Sequence, residues 1–531
     1  MAVISFKVPV SVAKFPFDYH KASRAVLDPG QDVASRTPLS LYGDEANVDY
    51  NLIKLLYCEN MMPTDYGMKA VGYVKSFSSL PGISSATRSV IDATDSSLLC
   101  FVSSSSDLYR YRGGSWNLVG GVAGQVVGLS SVFQTTNRHF VITNNPVAPF
   151  SVPTQSIWEL TPTGESGVSF TFEPATGWNA VDDTLLNFVG VGNYTVGLQE
   201  FDYLGSNPSQ LIIWSSLIDP LDFRIAGSSG AGYTSLAVPI GRPYKLVALG
   251  DGFLVLGTRG VASALPTNNG VTPFIYRVVP NAPGNLQIEE VAGGTTSTLY
   301  GYTKDKFFQI THQRADEVFP DLADYLLSDQ RSSWTVGTYP NHAVSIGGTL
   351  YCKYLAGRYL CFSEGFVFDT QLQRWGKMDK QLQFMAPVYI NHSGQVLSRT
   401  VPCSVDTTLT GAIFAAVFQG FDAFISSMPA GSVVPYGKMI FGHVKSRRHR
   451  KVTLQKVTVD GISIFSAAAY ALPSIPGAER STSTALSYST SEGQNFMEWK
   501  CRVSGDNIDV GLAGDLDIST IVLEVTQHGS R

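Results

Sequence analysis

Three observations in this sequence predict an all-β fold, a β-propeller of about six blades with accessory antiparallel β-domains built from the two end segments. Short β-rich runs recur between residues 85 and 425 at roughly eight to twelve residues, parted by clusters of Gly, Asn, Asp and Ser. Loosely repeated units succeed one another at roughly 45–60 residues, the length of a four-stranded blade. Helix signals are sparse. The division that follows is an N-terminal segment 1–61, a propeller 62–429 and a C-terminal β-domain 430–531. At 531 residues the chain exceeds one ordinary core. Charged residues are 15% of it and hydrophobic ones 44%, where about 25% charged is usual in soluble proteins. Such a composition suits many buried strands and faces covered by other subunits.

The opening segment is extended, turns at Asp28-Pro29-Gly30, and continues into 48–57. There Val48, Leu52 and Leu56 fall at helical spacing, so this piece reads as either helix or strand. Four units then carry the repeat. Leu98-Leu-Cys-Phe-Val102 leads to Asp107-Leu-Tyr-Arg-Tyr111 and Gly113-Gly-Ser-Trp116, and Leu246-Val-Ala-Leu249 leads to Gly252-Phe-Leu-Val-Leu-Gly257. Gly293-Gly294 precedes Lys306-Phe-Phe-Gln-Ile310, and Gly347-Gly348 precedes Gly365-Phe-Val-Phe-Asp369 with Arg374-Trp375. The last resembles a kelch-type blade, with a Gly pair at a turn and a Trp between blades. Around Pro320 one helix is predicted: Pro suits the first turn, Asp321 favours the positive end, and Leu322 and Leu326 share a face.

Beyond Pro429 the pattern changes. Lys451 to Val459 alternates as a half-buried strand does, but Val452 and Leu454 fall on one face and Val457 and Val459 on the other, so the slip at Gln455-Lys456 predicts a β-bulge. Asp460-Gly461 reads as a hairpin turn with Ile462 to Phe465 returning. Runs beginning at Phe496, Ile508 and Ser519 complete the domain, and 478–493 is a Ser/Thr-rich loop.

Residues that would carry chemistry are few. Glycosidases need paired carboxylates, and the candidates are Asp182-Asp183, Glu289-Glu290, and Asp321 with Asp324; each reads more naturally as a solvated turn or helix start. The repeated Ser-x-Asp-x-Gly-x-x-Trp turns of sialidases, a Gly-x-Ser-x-Gly elbow, a P-loop and a His-Glu-x-x-His helix are all missing from the sequence. His312 reads as a satisfied polar residue at a strand end. Six cysteines are scattered without metal-ligand spacing. Cys352 and Cys361 could meet across a hairpin, though all six read as small buried hydrophobes. No catalytic, cofactor-binding or metal residue is therefore expected, and the chain is expected not to be an enzyme. The N-terminus lacks the layout of a signal peptide, and no apolar run reaches the ~18 residues that span a bilayer.

Charge excludes a nucleic-acid binder that grips by phosphate contacts, since 43 acidic residues exceed 38 basic ones and the net charge is −5. The one dense basic run is Lys445-Ser-Arg-Arg-His-Arg-Lys451. Two readings of it stand: charges that protect the start of an edge strand, or a patch on Arg447, Arg448, Arg450 and Lys451 that docks an acidic partner. Trp214, Phe223, Trp375 and Trp116 read as core aromatics between blades.

Three phrases carry a family resemblance: Trp214-Ser215 followed by Asp219-Pro220-x-Asp222-Phe223, the stretch from Cys58 to Leu80-Pro-Gly82, and the stretch from Phe366 to Lys377. Together they resemble the tail nozzle, or tail stabilisation (tail tubular), proteins of short-tailed bacteriophages. The resemblance implies a structural virion protein, made in the host cytoplasm, that forms a hexameric ring below a dodecameric adaptor. It further implies a role in lining and closing the DNA channel, in genome retention and ejection, and in holding tail fibres, with double-stranded DNA passing untightly bound. The basic run would then meet the adaptor. The competing expectation is a propeller that binds or depolymerises host surface glycans.

Overall fold

Alternating apolar residues in short runs can be buried only by pairing strands and stacking the sheets, and the described residues do this from Val3 to Gln527. The computed structural model describes residues 3–8, 10, 54–81, 88–92, 97–102, 107–119, 128–135, 138–144, 155–163, 169–174, 184–200, 210–223, 230–267, 269, 272–288, 297–327, 352–378, 382, 384–392, 395–405, 412–417, 436–445, 451–461, 468–474, 484–485, 487–489, 496–505 and 507–527. Among these residues strands dominate, and helix is confined to Pro320–Leu326 and the single 3-10 turn Ser363–Gly365. The helix lies where Pro320 and Asp321 predict it, with Leu322 and Leu326 buried on one face.

Seven antiparallel meanders follow in chain order among the described residues. The first comprises Arg88–Asp92, Leu98–Val102, Asp107–Arg112 and Ser115–Leu118; the second Gly128–Thr135, Arg138–Asn144, Gln155–Thr163 and Ser169–Pro174. Next come Thr184–Val191, Tyr194–Glu200, Gln210–Trp214 and Gly232–Ser235 as the third, then Pro243–Leu249, Gly252–Gly257, Val261–Pro266 and Phe274–Val278 as the fourth. The fifth has three strands, Leu299–Tyr302, Phe307–Ile310 and Ala315–Val318, and the sixth Cys352–Leu355, Tyr359–Phe362, Phe366–Asp369 and Arg374–Lys377. The seventh, Phe384–His392, Gln395–Val405 and Ala412–Val417, takes its fourth strand from Gly72–Ser79, far earlier in the chain.

Each meander buries side chains against the next. Leu99 and Phe101 of the first meet Val141 and Leu160 of the second; Phe133 and Phe140 of the second meet Phe188 of the third. Val196 and Trp214 pack on Phe253 and Phe274, Leu254 and Leu256 on Phe308 and Ile310, and Phe307 on Phe362 and Trp375. Tyr359 and Val367 of the sixth meet Met385 of the seventh, and Val388 and Cys403 of the seventh meet Leu98 and Cys100 of the first. The succession closes on itself, which is the connectivity of a β-propeller. Among the described residues seven meanders stand where the repeat spacing predicted about six. The spacing undercounts because loop lengths vary between units and the last unit borrows a strand from residues 72–79.

The two end segments share a single sandwich. In one sheet Asp517–Gln527 lies between Val3–Val8 and Val452–Gly461, with Phe496–Gly505 and Ser487–Ser489 beyond. The other runs Lys54–Glu59, Gly437–Lys445, Asn507–Gly514, Ala468–Ser474 and Thr484–Ala485. Between them Met439, Phe441, Leu454, Val457, Trp499, Val510 and Leu523 are buried. Residues 54–57 are strand, which decides the ambiguity of 48–57 in its described part. The predicted bulge is present: register shifts between Leu454 and Lys456 against both neighbouring strands, so Val452, Leu454, Val457 and Val459 are all fully buried. The predicted turn at Asp460-Gly461 is corrected, both residues being strand, while the return over Ile462 to Phe465 lies outside the described residues. Asp460 still pairs with Phe496 and Thr520, and the next described strand, Ala468–Ser474, lies in the opposite sheet. Pairing on both edges, with Phe496–Gly505 and Asp517–Gln527, keeps Asp460 extended against the local turn signal.

A short hairpin, Met61–Pro63 with Met68–Ala70, joins ring and sandwich. Met61 pairs with Lys377 of the sixth meander, while Lys69 and Met68 pair with Asp517 and Ile518 of the sandwich.

Candidate functional site

The third and fourth strands of the third meander are linked through the Trp214–Phe223 phrase, and each residue type there has a visible task. Trp214 is buried, and its indole Nε1–H donates to the Gly230 carbonyl at 3.1 Å. Gly232 stands opposite it, where a Cβ would strike the indole ring. Ser215 N–H donates to Thr195 O at 2.9 Å and its Oγ accepts from Thr195 N–H at 2.9 Å. Asp219 caps the turn: its Oδ1 accepts from Leu221 N–H at 3.0 Å, and Ser216 N–H donates to Asp222 O at 2.7 Å. Phe223 turns edge-on to Phe188 with ring centroids 6.1 Å apart.

A side chain from the second meander locks this turn. Arg138 donates from Nε and Nη2 to both carboxylate oxygens of Glu159 at 2.7 and 2.6 Å, and its Nη1 lies 3.5 Å from Asp219 Oδ1. The guanidinium also lies 5.2 Å from the Phe140 ring centroid. Hydrogen bonding to Glu159 raises the Arg138 pKa above its ordinary value, so the guanidinium stays protonated. At the tip Leu217 is 51% and Ile218 89% exposed, an apolar point on a braced turn.

The four aromatics marked in the sequence are core groups, but they occupy different seams. Trp214 lies between meanders three and four, Phe223 between two and three, and Trp116, half-buried 5.2 Å from Tyr111, between seven and one. Trp375 is fully buried with Phe368 at 4.9 Å and Phe319 at 5.1 Å, where ring and sandwich meet. Arg447, Arg448 and Arg450 lie outside the described residues, and Lys451 is exposed directly before Val452.

Among the described residues, His312 and Asp369 are engaged in structural bonds. His312 has both ring nitrogens engaged, Nδ1 with Ser263 Oγ at 2.6 Å and Nε2 with Leu249 O at 2.7 Å, as expected for a satisfied histidine. Asp369 is fully buried; it accepts from Arg358 at 2.8 Å and from the backbone N–H of Gln371 and Leu372. Of the weighed carboxylate pairs, Asp182-Asp183 and Glu289-Glu290 lie outside the described residues, and Asp321 is exposed in the helix's first turn. Among the described residues no group of three or more His, Cys, Asp or Glu is placed to hold a metal. A Cys352–Cys361 bridge is excluded by register: Cys352 faces Phe362 and Cys361 faces Lys353, so the thiols project from opposite faces. None of the six cysteines is in a disulfide. Sequence reasoning missed Arg138 and Asn187, whose partners come from other meanders and leave no local signal.

No protein-family model matches the chain, and no curated protein matches it. Solved structures do. An exo-β-1,3-galactanase from Phanerochaete chrysosporium aligns with TM-score 0.24 and 7% identity over 76% of this chain and 97% of that one. Trypanosoma rangeli sialidase with the inhibitor DANA aligns with TM-score 0.30 and 9% identity over 84% and 96%. A family 43 arabinoxylan arabinofuranohydrolase from Bacillus subtilis aligns with TM-score 0.22 and 9% identity over 88% and 95%. Likeness this slight carries no argument about activity. These three structures are nevertheless enzymes, and the expectation that this chain is not one is withdrawn. Its ground was the lack of contiguous motifs, whereas a ring of meanders can gather catalytic groups from strands far apart in sequence.

Proposed function

We propose that this chain is a tail protein of a short-tailed bacteriophage, of nozzle type: a seven-bladed propeller with a sandwich, assembled with copies of itself below an adaptor. In this reading the ring lines and closes the DNA channel, serves genome retention and ejection, and gives the tail fibres a hold. The supporting observation is the task of the Trp214–Phe223 phrase. Its polar groups are consumed in bracing one turn between neighbouring blades, the use a rigid conduit makes of them. The excess of acidic over basic residues, 43 against 38, suits a wall past which DNA slides. Imaging of purified virion tails tests the proposal. The protein should be found at about six copies around the tail axis, a closed cyclic ring; its absence from the particle would overturn the reading.

A second reading, a propeller that binds or depolymerises host surface glycans, is favoured by exposed aromatics at Tyr66, Tyr233 and Tyr436. Incubation of the purified protein with host surface polysaccharide separates the two. Release of new reducing ends by the isolated chain supports the glycan reading, and intact polysaccharide with no retained binding removes it.

A further inference from the structure

The strand that closes the ring is tied to the sandwich by a single residue. Met68–Ala70 pairs with Asp517 and Ile518, and Ala70 N–H donates to Leu516 O. Gly72–Ser79 pairs with Ala412–Val417 and completes the seventh meander. Only Val71 stands between them. It is buried among Met62, Leu355, Tyr359 and Val367, and its N–H donates to Asn60 O at 2.7 Å. One residue spans about 3.5 Å at most, so the link has no slack. The sandwich side is equally tight. Met61, Met68 and Ala70 are buried in the sandwich core. A Cβ on Gly67 would run into the Ile518 carbonyl, and one on Gly437 into the Met61 side chain. Tyr66 OH donates to Asp517 Oδ1 at 3.1 Å across the same joint.

From this geometry we infer that the sandwich controls the ring's closure: loosening the Lys69–Asp517 joint frees the closing strand through Val71. This rests on strand order, covalent distance and the packing of the joint, and it stands whichever function the chain serves.

Hydrogen exchange on the full chain, read by mass spectrometry, tests it. Gly67→Ala is expected to speed exchange in 72–79 and 412–417 by about tenfold while 128–163 stays unchanged. Tyr66→Phe, a softer change, should give the same pattern at smaller amplitude. The comparison variant Asn187→Ala should loosen 184–200 and 243–257 and leave 72–79 untouched. A Gly-Ser-Gly insert between Val71 and Gly72 adds about 10 Å of slack and should abolish the response of 72–79 to Gly67→Ala. Faster exchange at 68–70 and 517–518 with 72–79 unchanged would overturn the inference. So would a response of 72–79 that survives the insert.

Discussion

Asn187, on the first strand of the third meander, makes a two-way bond to the backbone of Leu246 in the fourth: its Nδ2–H donates to Leu246 O at 2.7 Å, and Leu246 N–H donates to its Oδ1 at 2.8 Å. The amide stands in for a neighbouring strand, satisfying an otherwise bare edge of the fourth meander's first strand. Both residues are buried, so water offers no substitute.

Asn187→Ala should therefore cost about 2–4 kcal/mol, because a buried N–H and C=O lose their partners together. Asn187→Asp removes the donor and keeps the acceptor, and it should still fall well below wild type. Urea denaturation measures both, and a loss within about 0.5 kcal/mol, the range of ordinary surface changes, would show the bond to be dispensable.

Trp214→Ala should cost about 3–5 kcal/mol by the cavity it leaves between meanders three and four. Gly232→Ala should destabilise as well, since the added methyl meets the indole. In the double variant Trp214→Ala, Gly232→Ala, the methyl enters vacated space, and the second change should cost less than it does alone. Strict additivity in thermal unfolding would contradict this contact.

For Arg138 and Asp219, a double-mutant cycle with Met and Asn should give a coupling of about 0.5–1 kcal/mol, the scale of a partly exposed pair. Raising the salt should reduce it. A coupling that is absent at low salt would remove Arg138 as the brace of the turn.

Asp515 gives a pH dependence with a definite sign. Burial raises its carboxyl pKa and the Asp517 charge raises it further, while Lys69 opposes them. The folded chain thus holds this proton at pH values where the unfolded chain has released it. Asp515 consequently subtracts stability above its folded pKa, and the loss is relieved as pH falls through that value toward the unfolded one. Asp515→Asn should raise the Tm at neutral pH and flatten the profile across that window. An unchanged profile would assign the dependence to other carboxylates.

Under the proposed tail role, replacing Arg447, Arg448 and Arg450 of the basic run with Ser should weaken tail assembly. Normal particle yield and infectivity in the triple variant would rule out the docking role.

Several of these features were legible in the sequence because they are local. Period-two alternation and frequent turn residues determined strands, the slip at Gln455 determined the bulge, Pro320 with Asp321 determined the helix, and Asp219-Pro220 determined a turn. Tertiary structure decided what depends on partners distant along the chain. It completed the seventh meander by pairing 72–79 with 412–417, and it gathered Val3–Val8 and Lys54–Glu59 into the C-terminal sandwich. It also set Asn187 on Leu246 and Arg138 on Asp219. Backbone propensity and side-chain period act over a few residues and are written in order along the chain. Which edge meets which, and which buried polar group finds a partner, is settled when sheets compete to cover apolar faces, and residue order records that outcome only indirectly.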